Sequence, residues 1–450
     1  MFTTDPVDLL RYEYLQRRES GYDVTSLSPL IEGLISERVV SRDAFASAYE
    51  ELLAAPRLRD WPYVEPDRLD EIISTLPGTE PFGAPTNLSD KIHGAWLGRC
   101  VGCNLGKPVE LGEYWTRERI RSYLQCAGAW PLSDYIPALD PMPPGYELRE
   151  CWTETTLGNI RGSARDDDID YSLLALHLIE QHGTDLRPDH VASAWTSRLP
   201  YMLTYTAERA TYRNLVNGCD PLLAAEHQNP YREWIGAQIR GDVFGYVNPG
   251  DPRRAATEAY QDAALSHRAN GIYGEMWSAA LVAAAFTSPD PESAVRCSLD
   301  HIPPQSRLYE TVSAVVRIHA SGQSWEEGRR HIDEVYGHYN WVHTVNNAAI
   351  VTAGLLWGGG DFTSTIALTV VGGWDTDSNG ATAGSVVGAM VGASGIPPHW
   401  TQPLQDTVRS ALAGFDKTTI TSLAQRTLSV VKSRASERTA RGSLASAPHE

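Results

Sequence analysis

The sequence predicts an all-α fold: a compact multi-helix domain preceded by a helical extension. Apolar residues recur at helical spacing through most of the 450 residues, and no long run alternates apolar with polar as a strand would. Two segments also place glycine at every fourth position, Gly94-Gly98-Gly102-Gly106 and Gly380-Gly384-Gly388-Gly392. Such spacing leaves one helix face bare, at roughly 1 kcal/mol per glycine relative to alanine. Close packing of backbone on backbone offsets a cost of that kind, so the two segments are expected to be helices lying near one another.

Composition narrows the class further. Hydrophobic residues make up 42% and charged residues 21%, the balance of a soluble globular protein, while 28 Pro and 37 Gly point to many loops. Lys and Arg number 38 against 56 Asp and Glu, a formal charge of −18 spread along the chain, which argues against an extended nucleic-acid surface. The longest apolar stretches, Met276 to Phe286 and Ala381 to Ala393, fall short of the ~18 to 20 residues a bilayer requires. The start, Met1 to Pro6, carries neither a basic region nor an apolar run, so a cytoplasmic location is expected. Of six cysteines only Cys100 and Cys103 form a close pair; without a second pair for a zinc ribbon they read as packing residues.

Taken in order, Asp5 to about Leu76 reads as short amphipathic helices. Ser41 is placed to cap one whose Phe45, Tyr49, Leu52 and Leu53 share a stripe, and Leu69, Ile72 and Ile73 mark another. The glycine- and proline-rich run from Pro77 to Asn87 is a linker, so residues 1–87 form an extension with its linker. Ser89-Asp90 then reads as the N-cap of the first glycine helix, which ends at Gly106-Lys107-Pro108-Val109-Glu110. Glu113 to Ile160 is loop-rich and aromatic, with Trp115, Tyr123, Trp130, Tyr135, Tyr146 and Trp152, the composition of a lid or a substrate wall. Further helices are expected after Asp168, at Met276 to Phe286 and at Trp341 to Trp357, where His343 reads as a core histidine. The main domain is drawn at 88–431, with an unstructured Ser/Arg/Ala-rich tail from Lys432 to Glu450.

Two acidic segments carry the chemistry. Gly372-Gly373-Trp374-Asp375-Thr376-Asp377-Ser378-Asn379-Gly380 puts two carboxylates at a turn before the second glycine helix, and the next Lys or Arg in sequence is Arg409. Carboxylates gathered without a cation repel one another unless a metal or proton neutralises them, and all-oxygen donors favour Mg²⁺, Mn²⁺ or Ca²⁺ over zinc. An EF-hand reading fails, because its twelfth position would be Val386 rather than Glu. The second segment is Asp166-Asp167-Asp168, opening an apolar helix; one or two Asp suit a helix dipole, but three argue for a bound cation.

These motifs, in this order, resemble the ADP-ribosylglycohydrolase family, which includes the dinitrogenase reductase-activating glycohydrolases. The likeness runs from about Asp90 to Ile396-Pro397-Pro398-His399-Trp400. It implies an all-α fold with a two-magnesium cleft, Mn²⁺ able to substitute, and hydrolysis of an ADP-ribosyl linkage to a protein or small acceptor. Carried over, the metal motifs fall on Asp166, Asp167 and Asp168 and on Asp375, Asp377 and Ser378, while the family's glutamate after the first helix falls on Glu110. Asp166 stands where the family has Thr, and Gly98-Arg99 or Gly102-Cys103 stands where many members have Gly-Asp. A ribosyl hydrolase acting on a nucleoside-like metabolite and a catalytically silent ADP-ribose-binding module are the alternatives.

Overall fold

Two helices whose facing sides carry no side chains can approach until their backbones touch, and the fold is arranged about one such pair. The structure is a computed structural model describing residues 5–37, 40–79, 81–83 and 85–445. In it the helices Leu88–Gly106 and Thr376–Val391 run antiparallel, with Gly94 against Gly388, Gly98 against Gly384, Gly102 against Gly380 and Gly106 against Thr376. A β-carbon added at Gly98 would fall 1.9 Å from Gly384 O, well inside contact. Gly392, the last of the second series, is instead the C-cap of its helix at φ +73°.

The all-α expectation holds: the described residues are 62% helical and add only the two-residue antiparallel strands Val408–Arg409 and Lys417–Thr418. Around the glycine pair lie Asp167–His182, Asn270–Ala285, in which every residue is buried, and Thr344–Gly358. Cys100 and Cys103 are fully buried free thiols in this core. Among the described residues no helix is long and apolar enough to cross a membrane.

The extension forms the helices Pro6–Glu19, Ser28–Ser36, Arg42–Ala54 and Leu69–Thr75. Ser41 caps the third as expected, accepting from Ala44 N at 3.2 Å, but Leu53 is 46% exposed and lies off the buried stripe. Leu9, Leu10, Tyr49 and Leu52 share a small core with Tyr231 and Trp234. Beneath them the buried Glu233 carboxylate accepts from Gln16 Nε2 at 2.5 Å, Ser20 Oγ at 2.7 Å, Asn270 Nδ2 at 2.8 Å and Arg307 Nη2 at 2.6 Å.

Burial raises the Glu233 pKa, but the Arg307 charge and these donors outweigh it and hold the carboxyl below its ordinary 4.5. Because the folded pKa lies below the unfolded one, the stability this ion contributes is present above about pH 4.5 and drains away as pH falls through the folded value. Glu233→Gln is therefore expected to cost about 3 kcal/mol at pH 7, the low end for breaking a buried pair. That difference from wild type should shrink steadily in denaturation melts below pH 4.5. A gap that widened on acidification would contradict the ionised assignment.

Two expectations need correction. The first glycine helix begins at Leu88, with Asn87 at the N-cap position in a left-handed conformation, φ +52°, and no side-chain capping bond, so Ser89-Asp90 is not its N-cap. Asp90 instead reaches to the far end of the partner helix, accepting from Ser394 N at 3.2 Å and Ser394 Oγ at 2.8 Å. The last helix runs Ile420–Ala445 without a break at Lys432, where a tail was expected to start. Arg434 anchors it, donating to Asn248 Oδ1 at 3.0 Å and Glu258 Oε2 at 2.8 Å, while residues 446–450 lie outside the described part.

Candidate metal centre

The glycine pairing delivers two chain ends to one place. Where the first glycine helix stops, Lys107–Val109 makes a tight turn into Glu110, and where the second starts, Asp375 is the N-cap. Thr376 Oγ1 donates to Gly106 O at 2.9 Å and pins the two ends together. Glu110, Asp375 and Asp377 each present a carboxylate oxygen within 4.8 Å of the others, and so do Asp166, Asp167 and Asp168. The two groups meet at a hydrogen bond from Ser378 Oγ to Asp168 Oδ2, 3.0 Å long. All seven residues singled out in the sequence are thus gathered in one region.

Their local roles differ. Asp166 is the N-cap of the Asp167–His182 helix, its Oδ1 accepting from Asp168 N at 3.0 Å, and its Oδ2 contacts Lys107 Nζ. Asp375 makes no capping bond, so its carboxylate is not committed to its own helix. The turn in front of it is strained: Trp374 sits at φ +63°, a left-handed conformation costing a bulky residue roughly 1–3 kcal/mol. Arg329 holds that turn, donating from Nε at 2.9 Å and Nη2 at 2.7 Å to Gly372 O, with its guanidinium 4.3 Å from the Trp374 ring centroid.

The centre is crowded with negative charge that does not cancel. Burial, then the Asp377 charge, pushes Glu110 up to about 8, against the pull of Arg149 and Lys107. Burial and the neighbouring carboxylates likewise raise Asp168 and Asp375 far above the ordinary aspartate value, and burial raises Asp167. Groups so placed cannot all ionise without a counter-charge.

The expectation that no Lys or Arg stands among these carboxylates is corrected. Lys107 meets Asp166, and Arg149 Nη2 lies 3.4 Å from Glu110 Oε2. Arg99, fully buried, donates to Asp168 O from Nε at 3.1 Å and Nη2 at 2.7 Å and lies 3.3 Å from Asp168 Oδ1, with Nη1 on Asp242 Oδ2 at 2.6 Å. Sequence proximity missed them because their approach is made by the fold, although Lys107 stood in the quoted helix exit. Arg99 is shared with Asp242, and Arg165, whose charge also acts on Asp167, pairs with Asp170, so the six carboxylates keep an excess that divalent ions would neutralise, and an all-oxygen donor set suits hard cations.

The aromatic segment is mostly packing, and Arg117–Cys126 within it, which carries Tyr123, is a helix where loop was expected. Trp115, Tyr123 and Tyr135 are at most 1% exposed, and Trp115 stacks with Tyr146 at 5.8 Å, whereas Trp152 is 40% exposed. The loop also brings Arg149 to Glu110, its backbone N donating to Pro108 O at 3.0 Å. His343 is a buried N-cap, accepting from Val345 N at 3.2 Å, and burial lowers its pKa to about 3.

The family profile described as ADP-ribosylglycohydrolase matches residues 84–437. A solved structure described as an ADP-ribosylglycohydrolase-related protein complex is similar at 19% identity and a TM-score of 0.43, over 77% of this chain and 98% of that one. None of the curated proteins matches.

Proposed function

The chain belongs to the ADP-ribosylglycohydrolase family, and from that premise we propose that it cleaves the N- or O-glycosidic bond of an ADP-ribosylated protein or small acceptor with the help of two Mg²⁺ ions. The observation that carries this reading is the Ser378–Asp168 hydrogen bond, which ties together two carboxylate groups 210 positions apart in sequence. Bound between them, the ions would supply the positive charge that fixes a ribose diol and activates water.

The chain's own groups divide the remaining work. Asp167, Asp168, Asp375, Asp377 and Ser378 offer the ligand oxygens, and Asp166 offers its Oδ2 beside Lys107. Glu110, with its side chain 21% exposed, stands at the solvent edge of its group and accepts a proton from water or a ribose hydroxyl. Arg149, pairing with Glu110 Oε2, keeps that carboxyl turned toward the centre.

The test is hydrolysis of ADP-ribosyl-arginine, O-acetyl-ADP-ribose and simple nucleosides by the full chain, with Mg²⁺, with Mn²⁺ and with a chelator. Release of ADP-ribose from a conjugate is expected, abolished by the chelator and restored by either ion. Turnover of nucleosides alone would redirect the assignment to a ribosyl hydrolase, and ADP-ribose binding without turnover to a silent module.

A further inference from the structure

The turn that presents Asp375 is held by an amide that belongs to neither acidic segment. Asn347 is fully buried in the first turn of the Thr344–Gly358 helix and uses all four of its hydrogen-bonding positions. Its Nδ2 donates to Trp341 O and His343 O, both at 2.8 Å. Its Oδ1 accepts from Asp375 N at 3.3 Å and Asn379 Nδ2 at 2.7 Å. The side chain therefore couples the loop ahead of its own helix to the start of the second glycine helix, and the Asp375 amide it holds follows directly on the left-handed Trp374.

The loop on which Asn347 rests is itself braced from the N-terminal extension. Residues 233–235 pair with residues 342–344: Ile235 N donates to Val342 O at 2.8 Å and Thr344 N to Glu233 O at 3.1 Å. Glu233 is the carboxylate clamped by Gln16 and Ser20 of the extension and by Asn270 and Arg307. A continuous set of hydrogen bonds thus runs from the first helix of the chain to the backbone of Asp375.

We propose that Asn347 is a positioning residue for the carboxylate centre, and that the extension, through Gln16 and Ser20 on Glu233, braces the platform from which Asn347 acts. This rests on the reading of the centre as a metal site. The extension is then part of the machinery that sets ligand geometry, although none of its residues reaches the carboxylates. A purely structural Asn347 would change stability when truncated and leave ion affinity alone; a positioning one changes ion affinity in a chain that still folds.

The experiment is calorimetric titration of the full chain with Mn²⁺, alongside thermal melts. Asn347→Ala is expected to weaken Mn²⁺ binding about 10- to 100-fold, the usual effect of removing a partner that orients a ligand. Asn214→Ala, which truncates another buried amide bonded to Ala224 O and His227 O, should lower stability with Mn²⁺ affinity unchanged. The double variant Gln16→Ala/Ser20→Ala should weaken Mn²⁺ by about 2- to 30-fold, the range of mutations that act through intervening contacts. A folded Asn347→Ala chain binding Mn²⁺ as wild type overturns the proposal. Should that variant not fold, the double variant decides, and wild-type affinity in it overturns the proposal. A wild-type chain that binds no Mn²⁺ would instead bring down the metal-site reading, and this inference with it.

Discussion

Gly102→Val is expected to yield no folded protein. A β-carbon at Gly102 would fall 1.9 Å from Gly380 O and 2.3 Å from Gly380 C, and one at Gly380 would fall 2.5 Å from Gly102 O. The obstacle on each side is helix backbone, which cannot swing away as a flexible side chain could. Overpacking a core usually costs about 1–3 kcal/mol. Here the two central helices must separate along their length, so the cost is expected to pass ~4–5 kcal/mol, a large part of the roughly 5–15 kcal/mol that holds a domain together. Expression yield and circular dichroism melts read the outcome. Gly33→Ala is the counterpart: Gly33 lies in an exposed helix with nothing within 4 Å of a new β-carbon, and a gain of about 0.5–1 kcal/mol is expected. Wild-type melting of Gly102→Val would mean that the two helices do not meet as described.

Glu110→Gln is expected to lower kcat by about 10²- to 10⁴-fold, the range for removing a general base, with the bound divalent ion retained. Asp377→Asn should act differently, losing the ion and activity together, because its buried carboxylate lies within the group formed with Glu110 and Asp375. Metal analysis of the purified variants separates the two behaviours. Full turnover by Glu110→Gln with its ions in place would remove the proton-accepting role, and loss of ions from that variant would make Glu110 a ligand instead.

The parts of this molecule that were legible in the sequence are those written in local pattern. Glycine at every fourth position is visible along a single helix and has one cheap explanation, so the pairing of Leu88–Gly106 with Thr376–Val391 could be anticipated. Aspartates at a helix start and at a Gly-Gly-Trp turn are equally local. What escaped is carried by contacts across long stretches of chain. Gln16 meets Glu233 across 217 positions and Arg99 meets Asp242 across 143, and neither pairing leaves a trace in spacing or composition. The amide of Asn347 was visible as a polar residue on an apolar helix, but its partner Asp375, 28 positions on, is supplied by the fold. The expected N-cap at Ser89-Asp90 failed because the helix already starts at Leu88, and the Asp90 carboxylate accepts from Ser394 instead.

A single-residue insertion within either glycine helix would rotate everything beyond it by about 100° and displace it by about 1.5 Å, setting bulky side chains where bare backbone is needed. Only a shift by four residues, about 6 Å, brings glycine back opposite glycine, and that would carry Gly106 away from Thr376 and part the two acidic groups. The lengths of these two helices are therefore frozen, while the connecting chain between Glu110 and Gly372 is free to lengthen or contract at its surface. Divergence in what reaches the acidic centre is expected to accumulate in the surface loops of that intervening stretch, as insertions and deletions that leave the paired helices untouched.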